Sequence, residues 1–256
     1  MAGEVRVGTS GWQYADWRGG VVYPEGLGQP RWLGHYAGRF PTVEVNATFY
    51  RLASEPAVRR WRDAVPPSFE FVLKGSRFIT HRLKLREADG AVERFFAPLQ
   101  PVLDRTPVIL WQLPPNWRRD VDRLDGFLAG LPVGHRYAVE FRDDDWYHAE
   151  SYRVLERHGA ALVWLSSSLT RSHEPVATAD HVYVRFHGLS AEAYRYDYTG
   201  ADLEPWAARL AAVAASGTPA WAFFNNDFEG HAVHNAEMLV ELLGDAARRW
   251  PPSGGA

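Results

Sequence analysis

The sequence contains no cysteine, which excludes disulfides, thiolate metal sites and cysteine nucleophiles together. No apolar run approaches the roughly 18 residues of a membrane span, and Met1 to Val7 lack the apolar stretch of a leader. A cytoplasmic protein with no membrane partner is the expectation. Phosphate-binding GxxxxGK[ST] and GxGxxG loops are absent, as is the zinc-binding HExxH. Gly8-Thr-Ser-Gly11 has the wrong spacing for a GxSxG nucleophile elbow. An excess of one charge is missing too: the net charge is −3 with both signs interspersed. A general coat for nucleic acid would be clearly basic.

What is present is a repeating pattern in 256 residues, close to the roughly 250 of a (β/α)₈ barrel. Eight short β-rich runs recur: Val5–Thr9, Thr42–Thr48, Phe69–Lys74, Val108–Leu113, Tyr137–Arg142, Ala161–Ser166, His181–His187 and Ala220–Asn226. Between them lie helical stripes, such as Trp32, Leu33, Tyr36, Ala37 and Phe40, or Val121, Leu124, Phe127, Leu128 and Leu131. Strands alternating with helices predict parallel βα units and a single-domain TIM barrel over residues 1–245. A Pro/Gly-rich tail follows at 246–256. Residues 168–180 contain Pro175 and no helical period, which predicts an irregular crossover between strands six and seven. Asn46-Ala47-Thr48 fits a glycosylation sequon, but inside a predicted strand it reads as accidental.

Alternate residues of a barrel strand face the interior and the helices in turn. The apolar parity belongs against the helices, so the other parity points inward. This assigns Glu44, Asn46 and Thr48 of the second run, Lys74 of the third and Gln112 of the fourth to the interior. Glu140 and Arg142 of the fifth run and Tyr183, Arg185 and His187 of the seventh join them. The parity of the eighth run, ending Asn225-Asn226-Asp227, is ambiguous. Barrel interiors are ordinarily packed with branched apolar residues, and active sites sit where the strands end. Polar groups converging on that rim point to a functional site.

Gly8-Thr-Ser-Gly-Trp12, Trp17-Arg-Gly with Tyr23-Pro24, and Thr42-Val-Glu-Val-Asn-Ala-Thr-Phe-Tyr50 resemble the DUF72 (YecE-like) family. Thr80-His81, Gln112-Leu-Pro-Pro115, Ala138-Val-Glu-Phe-Arg142, Tyr183-Val-Arg-Phe-His-Gly188 and Phe224-Asn-Asn-Asp227 continue the resemblance in order. It implies a TIM barrel over nearly the whole chain and no established biochemical activity. The sixth strand departs from the family pattern, which has an Asp followed by Ser where this chain has Leu165-Ser166-Ser167-Ser168.

Three chemistries fit the rim. The first is acid–base catalysis of hydrolase, lyase or isomerase type on a phosphate-, carboxylate- or sugar-containing substrate, with Glu140, His187 and Asp227 as catalytic candidates. Glu140 is held ionised by Arg142, and His187 titrates near neutrality. Lys74, Arg142 and Arg185 form an anion clamp, and Trp12, Tyr14 and Trp17 either stack on substrate or pack the core. Glu44, Asn46, His81, Gln112, Asn225 and Asn226 complete the binding candidates. No cofactor is expected in this reading. The second is a divalent-metal phosphodiesterase or isomerase using Glu44, Glu140, His187, Asp227 and His231. The third is a non-catalytic nucleic-acid or nucleotide module, because Arg51, Arg77, His81, Arg82, Lys84 and Arg86 make the nearby loops basic.

Overall fold

The computed structural model describes residues 3–171 and 173–251. Eight strands alternate with helices: β1 Val5–Thr9, β2 Thr42–Val45, β3 Glu70–Lys74, β4 Val108–Gln112, β5 Arg136–Glu140, β6 Ala161–Ser167, β7 Val182–Gly188 and β8 Ala220–Phe224. The helices are α1 Trp32–Tyr36, α2 Ala47–Tyr50, α3 Glu55–Asp63, α4 Asp89–Phe96, α5 Val121–Ala129, α6 Ala149–Arg157, α7 Gly200–Ala215 and α8 His231–Leu243. Every ladder is parallel, in the order β1-β8-β7-β6-β5-β4-β3-β2. The chain is a single-domain (β/α)₈ TIM barrel.

The barrel closes at the β1/β2 seam through a side chain. The Thr9 N–H donates to the Tyr36 hydroxyl at 2.9 Å, and that hydroxyl donates to the Thr42 carbonyl at 3.1 Å. One phenol from α1 thereby satisfies backbone groups on both strands. Gly8 permits the approach, since a Cβ there would lie 2.3 Å from the Thr42 carbonyl oxygen.

Apolar side chains divide into two compartments by strand parity. Val43, Val45, Val139, Phe141, Val184 and Phe186 face the helices. Val72, Val108, Leu110, Ala138, Val163, Tyr183, Trp221 and Phe223 fill the barrel. This resolves β8: Trp221, Phe223 and then Asn225 face inward, while Ala222, Phe224 and Asn226 face outward.

Local departures from the expected pattern have physical causes. Thr48 is not a strand residue: β2 ends at Val45 and the chain turns into α2 at Asn46. The Thr48 hydroxyl lies 2.8 Å from the Val45 carbonyl and 2.7 Å from that of Lys74, tying the ends of β2 and β3 together. The sequon therefore starts at a helix entry rather than within a strand. Between β6 and β7 no helix forms among the described residues, as Pro175 foretells. Of the tail, residues 252–256 lie outside the described residues. Its first part packs on the barrel: the Arg248 N–H donates to the Val5 carbonyl at 2.9 Å, and Trp250 Nε1 donates to the Ala37 carbonyl at 2.8 Å.

Candidate functional site

The upper barrel interior, above the apolar plug, is a buried ion network. Arg185, fully buried on β7, sends Nε to Glu44 Oε2 at 2.9 Å and Nη2 to Glu44 Oε1 at 2.6 Å. Its Nη1 binds Glu140 Oε2. Arg142, just past β5, binds the other Glu140 oxygen through Nε. Tyr183 donates to Glu44 at 2.6 Å. Two carboxylates and two guanidiniums balance in charge, and the bidentate geometry offsets their desolvation. Burial raises the Glu140 carboxyl, but Arg142 and Arg185 outweigh that and hold it well below the carboxylate range.

His187 sits in this network as a neutral ring. Burial, then Arg142 and Arg185, lower its pKa to about 3. The expectation that it titrates near neutrality is therefore corrected. Its Nε2 lies 3.1 Å from Arg142 Nη2 and 3.3 Å from Arg185 Nη1, both donors, so Nε2 accepts and Nδ1 carries the proton. Asn225 Nδ2 lies 3.1 Å from Nδ1; a protonated Nδ1 requires the amide turned over, so that Asn225 Oδ1 accepts from it.

Above the network opens a cavity of about 770 Å³. Trp12, Tyr14, Asn46, Lys74, Arg77, His81, Gln112, Arg142, Asn225 and Asp227, all candidate residues from sequence, line it. Glu44, Glu140, Arg185 and His187 lie beneath, without reaching its wall. Arg185 is thus not a clamp for a ligand; its donors are occupied by Glu44 and Glu140. Asn226 faces away, donating to the Tyr196 carbonyl and to Asn235 Oδ1, both at 2.7 Å. Trp17 is buried and donates to the Asp227 carbonyl at 2.7 Å, packing the first loop rather than facing the cavity.

Lys74 differs from the buried guanidiniums at this end. It is 6% exposed, yet its amine makes no ion pair or hydrogen bond among the described residues. Its neighbour is the Phe49 ring, 4.3 Å from Nζ. Burial, then Arg185, lowers its pKa to about 7, with Glu44 and Glu140 opposing. Across the cavity, burial pushes the Asp227 carboxyl up to about 6. His81 is lowered to about 4 by burial and by Arg77 and Lys74. Sequence reasoning missed the cavity walls contributed by Gln13, Phe49, Tyr50 and Tyr194. Tyr50 closes a motif already noted, but Tyr194 sits in a stretch without periodicity.

The five residues named as metal ligands are not gathered. Glu44 and Glu140 face guanidiniums, and His231 Nδ1 lies 3.3 Å from the Arg195 carbonyl on the outside of the barrel. Among the described residues no three His, Asp or Glu side chains form a metal-holding group. No helix among them is long and apolar enough to cross a membrane. A second cavity of about 590 Å³, between α1, α2 and α3, shares Trp12, Gln13 and Ala47 with the first but none of the ion network.

The profile of the family described as "Protein of unknown function DUF72" matches residues 6–254. The chain belongs to the DUF72 family. The UPF0759 protein YunF of Bacillus subtilis is 26% identical, with 93% of this chain and 94% of YunF covered. The UPF0759 protein YecE of Escherichia coli K12 is 30% identical over 60% of this chain and 54% of YecE, so the match spans about half of that relative. A DUF72 family protein from Thermotoga maritima has a solved structure with a TM-score of 0.83 and 30% identity, covering 94% of this chain and 99% of that one. A second, from Enterococcus faecalis, superposes with a TM-score of 0.79 at 19% identity, covering 93% and 95%. Ser166 on β6 faces away from the barrel interior, and its Oγ accepts from the Tyr198 hydroxyl at 3.0 Å.

Proposed function

We propose that this DUF72 protein is an acid–base enzyme acting on a small phosphate- or carboxylate-bearing substrate held in the barrel mouth. The observation that carries this reading is the excess cation: Lys74 enters the cavity beside Arg142 and Arg77 with no anion of its own. The Glu44–Arg185–Glu140–Arg142 network is already neutral, so a protonated Lys74 together with Arg77 outweighs the cavity's carboxyl, Asp227, and leaves net positive charge for a ligand to balance. Asp227 supplies proton transfer, because a carboxyl raised to about 6 exchanges its proton near neutrality. Tyr14 and the rim ring of Tyr50 supply stacking surface for the carbon framework.

Hydrogen–deuterium exchange in D₂O with small phosphorylated and carboxylated carbonyl compounds tests this. Substrate should gain deuterium at the carbon next to its carbonyl, followed by proton NMR. The rate should rise through pH 6 as Asp227 ionises to the base form, and Asp227→Asn should lower it by about 10²-fold or more. No exchange across the panel, together with no saturable binding of inorganic phosphate, contradicts the reading.

A further inference from the structure

The chain has 28 basic residues, of which only Lys74 and Lys84 are lysines, leaving 26 arginines. Where it needs a permanent buried cation, at Arg142 and Arg185, it uses arginine. At residue 74 it uses the basic side chain that can lose its proton. That amine is buried, unpaired among the described residues and open to a cavity whose other deep cation is Arg142. Desolvation next to fixed positive charge is how lysine becomes a nucleophile. Its ordinary role as a solvated surface cation is excluded here by 6% exposure.

We propose that Lys74 captures the carbonyl of the substrate as an imine, with Arg142 and Arg77 holding the substrate's anionic group. The proposal rests on the reading of the cavity as a site for a small anion, and narrows it to aldehydes and ketones. The Nζ lone pair adds to the carbonyl carbon, and the carbonyl oxygen takes a proton from a cavity acid, the role given to Asp227 on the same cavity wall. The nitrogen then loses a proton, the hydroxyl takes up another and leaves as water, and the C=N bond forms. One water is released per imine, and nothing is oxidised or reduced.

The state of the amine is set from several sides. Arg185 on β7 and Arg142 after β5 favour its neutral form, whereas Glu44 on β2 and Glu140 on β5 favour its charged form. The Phe49 ring of α2 covers it, and His81, neutral above about pH 4, adds no charge near neutrality. With a pKa of about 7, roughly half of the amine is free base at neutrality, against about one part in 10³ for an ordinary lysine.

The test is reductive trapping on the intact wild-type chain with pyridoxal 5′-phosphate, an aldehyde bearing a phosphate, followed by borohydride and peptide mass mapping. Hydride adds to the imine carbon and leaves a stable secondary amine. Lys84, half-buried on the outer loop, is the internal reference, so the result does not depend on a variant folding. Lys74 should be labelled on the order of tenfold faster than Lys84 at pH 7. Pyridoxal without its phosphate should label it about tenfold more slowly, and inorganic phosphate should protect it. Lys74→Arg, which keeps the charge, should lose the label. No preference for Lys74 while inorganic phosphate still raises Tm overturns imine capture and leaves the anion site standing. Equal labelling by both aldehydes without phosphate protection overturns the anionic substrate class.

Discussion

The two ends of the barrel interior both carry ion clusters, part-buried at the N-terminal end and fully buried around Arg185 at the other, and they differ in pairing. At the N-terminal end Glu70 gathers Arg6 at 3.0 Å, Arg248, and Trp221 Nε1 at 2.9 Å. The Arg6 guanidinium also lies 5.0 Å over the Trp221 ring. Each charged group there has its partner, and Trp221 seals the barrel from below. At the C-terminal end Glu44, Glu140, Arg142 and Arg185 also close on one another. That end has Lys74 in addition, left unpaired under an open cavity. Paired buried charge is compatible with simple structural closure. The unpaired amine is what distinguishes the mouth as a place for chemistry.

Breaking the network at the mouth should have the largest effect. Arg185→Met leaves Glu44 and Glu140 without their shared fully buried partner, and unfolding by urea should show a loss of about 3–5 kcal/mol. A loss below about 1 kcal/mol would mean that this network does not carry the charge at that end.

The next effect depends on pH. Lys74 titrates at about 7 in the folded chain and in the ordinary lysine range near 10.4 when unfolded. Between those values the unfolded chain holds more protons, so folding stability rises with pH. The gain is at most about 1.4 kcal/mol per pH unit. Comparing wild type with Lys74→Met from pH 7 to 9 isolates this slope, since the buried tyrosines are common to both. Parallel curves would remove the distinction between the two ends.

The smallest effect belongs to the sealed end. Glu70→Gln leaves Arg6 and Arg248 about one-sixth exposed, able to reach water. The cost should be about 1 kcal/mol by the same urea assay. A loss matching that of Arg185→Met would show the two clusters to be equivalent.

Much of this arrangement is legible in the sequence through strand parity. Polar residues on the parity opposite Val139/Phe141 and Val182/Val184/Phe186 could only enter the barrel, and Glu140, Arg185 and His187 do so. Parity gives the side and not the depth. It cannot separate Arg185, consumed within the network, from Lys74, which reaches the cavity. It fails at β8, where Ala222 and Phe224 on one face resemble Trp221 and Phe223 on the other. Helices α3 and α6 carry no long apolar stripe, because their buried faces are small: Val58 alone in α3, and Ser151, Val154 and Leu155 in α6. The Asn46 turn was hidden by a β-rich run that continues into α2.

The barrel mouth holds a buried, deprotonatable amine at Lys74 with no anion paired to it among the described residues. NMR titration of the chain labelled with ¹³C at lysine Cε, where two lysines give two resonances, follows that amine alone. The Lys74 midpoint should fall at about 7 and move upward when inorganic phosphate binds. A Lys74 midpoint in the ordinary lysine range, unmoved by phosphate, would contradict it.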